Sequence, residues 1–157
     1  MSILASAVKT GTRPASSAKT AVKSESWKNF GTHLTLDGYQ GNRALLDSME
    51  QVFAILDRLP EALGMHKIIT PYVIRCAGND KKDPGGISGF VMIAESHISI
   101  HTFPGRRFVS VDVYTCQEDL DSDKATNALK KAFRLGEMEI QIIKRGQRFG
   151  ELAKLVE

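Results

Sequence analysis

Two stretches of strict alternation between side chains constrain this 157-residue chain more than any other feature. In residues 97–103 the even-numbered side chains fall on one face of an extended strand, whereas His97, Ser99 and His101 fall on the other. Residues 107–116 alternate in the same way, with three valines on one face. A Pro-Gly-Arg turn separates the stretches, so the sequence predicts an antiparallel hairpin with one buried face and one polar face.

The polar face of this predicted hairpin is where chemistry is expected. Cross-strand pairing extends the face of the two histidines with Ser110, Asp112 and Cys116 of the second strand. The preceding run Gly89–Ile93 is apolar and β-branched, which is typical of a buried strand. A thiol, imidazoles, hydroxyls and a carboxylate therefore collect where the chain leaves the core.

The remaining periodicity predicts a two-layer architecture. Apolar residues at three- and four-residue steps predict a helix over 42–59 that ends at Pro60 and Gly64, and a second helix that begins after the cap residue Asp121 and ends at Gly136. Further strands are predicted over 33–37, 68–74, 87–93 and 138–144. Pro71 favours an edge position or a bulge for the second of them. The order of elements predicts an α+β fold, a two-layer α/β sandwich whose mainly antiparallel sheet carries two helices on one face.

Charge is distributed unevenly along the chain. Residues 1–28 hold five Lys/Arg and one Glu, and the rest holds sixteen Lys/Arg against seventeen Asp/Glu. We expect a disordered basic tail at 1–28, a single folded domain at 29–157, and a solvated loop at 77–86. The nearly neutral domain lacks nucleic-acid-binding motifs, so no nucleic acid is expected as a partner.

The sequence also argues against several other kinds of site. Cys76 and Cys116 are expected to be free thiols in a reducing, cytoplasmic compartment. No apolar run is long enough for a membrane span. His97 and His101 would lie about 13 Å apart on a strand, too far to share a metal ion, so no metal is expected. Ser96 lacks the Gly-x-Ser-x-Gly setting of a hydrolase nucleophile.

Four segments carry a family resemblance. Residues 95–104, ESHISIHTFP, followed by 111–116, VDVYTC, resemble the signature of the small, prokaryotic-type S-adenosylmethionine decarboxylases. Gly31-x-His33-Leu34 and Gly86-Ile87-Ser88-Gly89 resemble the same family in the same order. The resemblance extends over roughly residues 30–145.

The resemblance implies a proenzyme that cleaves itself between Glu95 and Ser96. Ser96 Oγ attacks the Glu95 carbonyl to form an ester, and elimination then leaves a covalent pyruvoyl group derived from Ser96. By the same resemblance His101 serves the elimination and Ser88 assists it. The pyruvoyl carbonyl forms a Schiff base with a substrate amine, and Cys116 protonates the substrate carbon after CO2 leaves.

The substrate is the least determined part of the implied function. The family usually has an acidic residue after the Pro of the motif, where it binds ribose hydroxyls, and this chain has Gly105 there, with Asp37, Asp80 and Asp83 as candidate replacements. Phe103 and Asp37 are the expected substrate contacts. S-adenosylmethionine, decarboxylated in polyamine (spermidine) biosynthesis, is the first choice, and free arginine or ornithine is the alternative. A non-catalytic partner subunit of an active paralogue is the alternative of another class.

A homodimer is expected, because the sheet face without helices would otherwise expose apolar and functional side chains.

Overall fold

A computed structural model describes residues 29–79, 82–117 and 119–152, so the predicted tail at 1–28 lies outside the described residues. The described residues form one six-stranded sheet in which every pairing is antiparallel, with strand order β2-β3-β4-β5-β1-β6. The elements are β1 Gly31–Tyr39, α1 Arg43–Leu46, α2 Met49–Ala62, β2 Tyr72–Ala77, β3 Gly85–Ile93, β4 Ser96–Phe103, a 3-10 turn Pro104–Arg106, β5 Phe108–Thr115, α3 Ser122–Phe133, β6 Glu137–Arg145 and α4 Phe149–Leu152. This architecture confirms the predicted α+β sandwich.

The predicted hairpin is the centre of the sheet. β4 and β5 pair with His97 opposite Tyr114, Ser99 opposite Asp112 and His101 opposite Ser110. The isoleucines of β4 and the valines of β5 are buried, as the alternation predicts. The structure places Cys116 one residue beyond β5, with its side chain exposed.

Two amphipathic helices cover one face of the sheet. α2 buries Val52, Leu56 and Leu59, and α3 buries Leu129 and Phe133, against the inward side chains of the strands. Each fully buried aliphatic side chain contributes roughly 1.5–3 kcal/mol through the loss of apolar surface from water. The helices therefore hold the sheet in place and leave its other face uncovered.

The helix predicted over 42–59 is wrong as a single element. It is two helices, because Asn42 and Ser48 are both N-caps whose side chains accept hydrogen bonds from backbone N–H groups, of Leu45 and Gln51 respectively. Pro60 does not end α2 but lies in its last turn, and the helix ends at Ala62 before Gly64, whose φ is 71°. A proline there removes a single N–H bond, which a helix already packed on a sheet tolerates.

Three further predicted boundaries differ from the structure. Gly136 does not end α3, because Arg134 already takes the left-handed conformation with φ 52°. The strand predicted over 68–74 begins only at Tyr72, after Pro71, and it is an edge strand as the proline indicates. The predicted loop at 77–86 is shorter, because Gly85 and Gly86 belong to β3.

The uncovered side of the sheet, called the open face below, carries the chemically interesting residues. Side chains of alternate residues on β1 to β5 point to it, and they are half-buried or exposed. They include His33, Thr35, Asp37, Tyr72, Ile74, Ser88, Phe90, Met92, His97, Ser99, His101, Phe103, Ser110, Asp112 and Tyr114.

Candidate active site

The connection between β3 and β4 is a tight turn under backbone strain. Ile93 and Ser96 are partners in the ladder, so only Ala94 and Glu95 connect the strands. Two-residue hairpins favour turns with positive φ, which glycine or asparagine adopts readily and these residues do not. The positive φ falls instead on Ser96, at 148°, a conformation that costs a non-glycine residue about 1–3 kcal/mol. The predicted cleavage bond is therefore at a strained position.

The carbonyl of this same bond accepts a hydrogen bond from the end of β5. The backbone N–H of Cys116 donates to the Glu95 oxygen at 2.8 Å. An N–H at this distance polarises a carbonyl and stabilises the negative charge that develops on its oxygen during nucleophilic attack. Ser96 and Cys116, twenty residues apart in sequence, thus belong to one site because the β4–β5 register brings Ser96 opposite Thr115.

His66 holds the side chain of Glu95. Its backbone N–H donates to one carboxylate oxygen at 3.0 Å, and its ring Nδ1 lies 2.9 Å from the other. The Glu95 side chain is only 14% exposed, whereas the His66 side chain is 81% exposed. Burial raises the pKa of Glu95, but the hydrogen bonds from the His66 ring and backbone outweigh it, so the pKa lies below its ordinary value of 4.5. The residue before the strained bond is therefore anchored as a carboxylate.

His97 contacts the Ser96 hydroxyl directly. Its Nδ1 lies 3.3 Å from Ser96 Oγ. The His97 ring meets Tyr114 edge-on with centroids 5.7 Å apart, and Tyr114 contacts His33 on another side at 5.5 Å. The Arg145 guanidinium lies 4.5 Å from the centroid of the Tyr114 ring, a cation–π distance.

Ser88 and His101 form a separate pair on the open face. His101 Nδ1 lies 2.9 Å from Ser88 Oγ, because β3 and β4 place the two residues opposite each other. A cavity of about 270 Å³ beside them is lined by Tyr72, Ile74, Ser88, Gly89, Phe90, Ser99 and His101. His101 is five residues from Ser96 along an extended strand, which is about 16 Å. Within one chain, Ser96 therefore lies close to Cys116 but far from His101 and Ser88.

A third polar network lies between these two sites. Asp112 binds His33 Nε2 through one oxygen at 2.9 Å and accepts from Ser99 Oγ through the other at 3.2 Å. The alternation of β4 and β5 predicted Ser99 and Asp112 on one polar face, which the structure confirms. The position of His33 was not predictable in this way, because it depends on β1 lying next to β5. The His66–Glu95 contact joins a loop to a turn, and no periodicity indicates it.

The two predicted substrate contacts lie on the open face at some distance from the cleavage bond. Asp37 is opposite Ser110, which is itself opposite His101. Phe103 packs on Phe108 with centroids 5.7 Å apart, and both rings line a cavity of about 410 Å³ together with Asn79, Lys82, Asp83 and Arg106. Gly105 lies nearby with an exposed backbone. Of the candidate acids, Asp83 lies in this cavity, and Asp80 falls outside the described residues.

Both cysteines are free, as predicted, and the structure shows that both are exposed. No group of three or more His, Cys, Asp or Glu side chains suited to a metal ion occurs within residues 29–79, 82–117 and 119–152. In the same part of the chain, none of the helices has the length and apolar character needed to cross a membrane.

The fold and the site define a class of protein: a two-layer sandwich with a strained peptide bond in front of a serine at the start of a central strand. Comparisons with known proteins give the family. The family model for S-adenosylmethionine decarboxylase matches residues 32–146. The chain belongs to the S-adenosylmethionine decarboxylase family, which confirms the resemblance found in the sequence.

Individual relatives agree with this assignment. The S-adenosylmethionine decarboxylase proenzyme of Thermoanaerobacter sp. (strain X514) is 34% identical over 117 residues, which is 74% of this chain and 89% of that protein. The proenzyme of Clostridium botulinum (strain Loch Maree / Type A3) is 34% identical over 120 residues, 76% of this chain and 97% of that protein. The crystal structure of the adenosylmethionine decarboxylase from Aquifex aeolicus VF5 superposes with a TM-score of 0.65 at 28% identity, covering 76% of this chain and 93% of the other.

Proposed function

We propose that this protein is a self-cleaving, pyruvoyl-dependent S-adenosylmethionine decarboxylase. The observation that carries the proposal is the Glu95–Ser96 bond itself: it joins a strained serine to a carbonyl that accepts the Cys116 N–H at 2.8 Å. A hydroxyl, a polarised carbonyl and backbone strain are what an intramolecular attack of Ser96 Oγ requires. The name proenzyme, given to the relatives, agrees with a precursor that is cleaved.

A pyruvoyl group formed from Ser96 fits this position. The group would be the first residue of the new chain, at the start of β4 and beside Cys116. Its carbonyl withdraws the electron pair released as the substrate loses its carboxylate, a role that an unmodified hydroxyl cannot fill. Cys116 donates a proton to the substrate carbon, since a thiol is a suitable acid near neutral pH.

Cleavage is tested by mass spectrometry under denaturing conditions. An active protein gives two fragments, residues 1–95 and a chain that begins at position 96 with a blocked amino terminus. Ser96→Ala stays whole because it lacks the nucleophile. A wild-type chain that stays whole after prolonged incubation would favour the non-catalytic partner subunit instead.

We also propose a homodimer formed by the open face. Tyr72, Ile74, Phe90 and Met92 are 41–56% exposed there, a concentration of large apolar side chains that a monomer rarely leaves in water. A second copy on this face explains how the Ser88–His101 pair serves the elimination, because within one chain it lies about 16 Å from Ser96. The pair then acts on the Ser96 of the partner subunit.

Mixed dimers test this arrangement. Ser96→Ala keeps the Ser88–His101 pair but cannot be cleaved, and His101→Ala keeps Ser96 but lacks the histidine. When the two variants are co-expressed, the His101→Ala chains should be cleaved, although neither variant is cleaved alone. Sedimentation should give the mass of two protomers. Cleavage of His101→Ala by itself, or a monomer at micromolar concentration, would contradict the proposal.

The role of Cys116 is tested separately from cleavage. Cys116→Ala keeps the backbone N–H that contacts Glu95, so it should still be cleaved. It should lose turnover, or protonate the product differently, because the acid is gone. Product formed at the wild-type rate would refute the assigned role.

Family membership favours S-adenosylmethionine as the substrate, and one observation favours a free amino acid as the second candidate. The residue after Pro104 is Gly105, so no carboxylate is available there for ribose hydroxyls. A charge-assisted hydrogen bond of this kind contributes about 1.5–3 kcal/mol. Arginine or ornithine, which have no ribose, would not need that carboxylate, and Asp37 or Asp83 could bind their distal cation. Phe103 and Phe108 supply an apolar wall for either ligand.

Release of CO2 from S-adenosylmethionine, arginine, ornithine and lysine should be compared on the same cleaved protein. A clear preference for S-adenosylmethionine supports the first choice, and a preference for a free amino acid replaces it. Asp37→Asn and Asp83→Asn then show which carboxylate contributes. A drop in turnover confined to one of the two variants identifies it.

A further inference from the structure

We propose that His97 is the general base of the first cleavage step, the attack of Ser96 Oγ on the Glu95 carbonyl, and that one chain completes this step without a partner. The proposal rests on the proposed self-cleavage. It assigns to His97 a proton transfer for which the sequence resemblance named no residue.

The position of the four histidines singles out His97. His33 is bound to Asp112, and the His66 ring is bound to the Glu95 carboxylate. His101 is bound to Ser88, about 16 Å along the strand. Since the chain has four histidines and all are described, His97 is the imidazole that lies within hydrogen-bond distance of the Ser96 hydroxyl.

The surroundings of His97 fix its ring for this purpose. Tyr114 meets the ring edge-on, and Tyr114 is itself held between His33 and the Arg145 guanidinium. The His97 side chain is otherwise exposed, so Tyr114 orients the ring from one side while the ring nitrogen faces the Ser96 hydroxyl. The Nδ1–Oγ distance of 3.3 Å is slightly long, as is common before a reaction begins.

The step balances with groups of one chain. Neutral His97 accepts the hydroxyl proton at Nδ1 while Ser96 Oγ forms a bond to the Glu95 carbonyl carbon. The carbonyl oxygen becomes an oxyanion that faces the Cys116 N–H. The carbon–nitrogen bond then breaks, the oxygen regains its double bond, and protonated His97 returns the proton to the departing nitrogen. The products are an ester through Ser96 Oγ and a free amino group on Ser96.

This division separates the two chemical steps in space. Ester formation uses the Ser96, His97 and Cys116 of one chain, whereas elimination uses the Ser88–His101 pair. An uncleaved chain that lacks His101 should therefore still reach the ester. A chain that lacks His97 should stop earlier, with its amide bond intact.

The test uses full-length chains and hydroxylamine, which splits esters but leaves amides whole. His101→Ala should accumulate a bond that hydroxylamine splits. The double variant His97→Ala/His101→Ala should accumulate that bond about 10²- to 10⁴-fold more slowly, the range lost with a general base. Added imidazole should restore part of the rate in the double variant, because the small base can occupy the space left by the ring. In the His101→Ala variant the ester should also form at a rate that does not depend on protein concentration.

Ser48→Ala in the His101→Ala background is the control for a loss of stability, since Ser48 caps α2 and its hydroxyl hydrogen-bonds Glu50 and Gln51, away from Ser96 and His97. It should reach the ester at the rate of the background variant. His97→Gln replaces His97→Ala where the alanine chain does not fold, as judged by circular dichroism. Equal ester yield with and without His97, or a slow variant that imidazole does not accelerate, would overturn the proposal. A wild-type chain that neither cleaves nor forms an ester would refute the proposed function instead.

Discussion

Gly31→Ala is expected to slow self-cleavage although residue 31 touches neither Glu95 nor Ser96. A Cβ on Gly31 would lie 2.3 Å from the Thr115 carbonyl oxygen and 3.0 Å from Cys116 Cα. Thr115 ends β5, and the next residue supplies the N–H that binds the Glu95 carbonyl. The added methyl group therefore pushes on the backbone that activates the cleavage bond.

The magnitude follows from two distances. Relief to an ordinary contact of 3.4 Å requires a shift of about 1.1 Å between Gly31 and Thr115. Because β5 lies between β1 and β4 in the sheet, this shift pushes the end of β5 toward the β3–β4 turn and moves the Cys116 N–H out of line with the Glu95 oxygen, which it contacts at 2.8 Å in the wild-type fold. Loss of one oxyanion donor slows acyl transfer by about 10²- to 10³-fold, so we expect a slowdown that approaches this range.

The assay follows loss of the intact chain by mass spectrometry, and Gly38→Ala is the matched control. Gly38 lies on the same strand, and its added Cβ would meet the Leu135 and Val109 side chains at 2.5 and 2.9 Å, away from Cys116. This variant should lose stability but cleave at the wild-type rate per folded chain. Equal cleavage rates for the two variants would show that the Cys116 N–H does not activate the bond.

Three further predictions concern stability, measured in the uncleavable Ser96→Ala background. Leu56→Ala should lower the free energy of unfolding by about 2–5 kcal/mol in urea, because Leu56 is fully buried under the sheet, and a smaller loss would mean that the core closes around the gap. Ser48→Ala should lower the free energy of unfolding by about 0.5–2 kcal/mol, seen as a lower Tm, because it removes the cap of α2; an unchanged Tm would refute this role. The pKa of Glu95 is lower in the folded protein than its ordinary value of 4.5. The contribution of this carboxylate to folding stability is therefore fully present above pH 4.5 and is lost as the pH falls through the pKa of the folded state. Glu95→Gln should flatten acid destabilisation in that range, and an unchanged acid profile would mean that His66 contributes nothing.

The sheet was predictable where one physical signal dominates. Alternation in β4 and β5 specified both faces and the pairing, because a register shift of one residue would have exposed the buried valines to solvent. The break between α1 and α2 was not visible in this way. The apolar stripe continues through it, and only the competing caps Asn42 and Ser48, each satisfied by a nearby N–H, end one helix and begin the next.

The candidate site was predictable as a list of side chains but not as an arrangement. Ser96 and Cys116 could be joined by hairpin register, whereas the backbone N–H that connects Cys116 to Glu95 has no signature in the sequence. The separation of Ser96 from His101 follows from simple strand geometry. The contribution of His66 depends on how a loop folds over a turn, which requires the tertiary structure.

The strand order has a consequence for the protein after cleavage. A cut between Glu95 and Ser96 assigns β1, β2 and β3 to one polypeptide and β4, β5 and β6 to the other. Because the order is β2-β3-β4-β5-β1-β6, the strands of the two polypeptides interleave, and β1 of the first lies between β5 and β6 of the second. The fragments cannot part without unzipping three ladders. Refolding is unimolecular for the precursor but would be a bimolecular reassembly for the cleaved form, so recovery of the cleaved form after unfolding would depend on protein concentration.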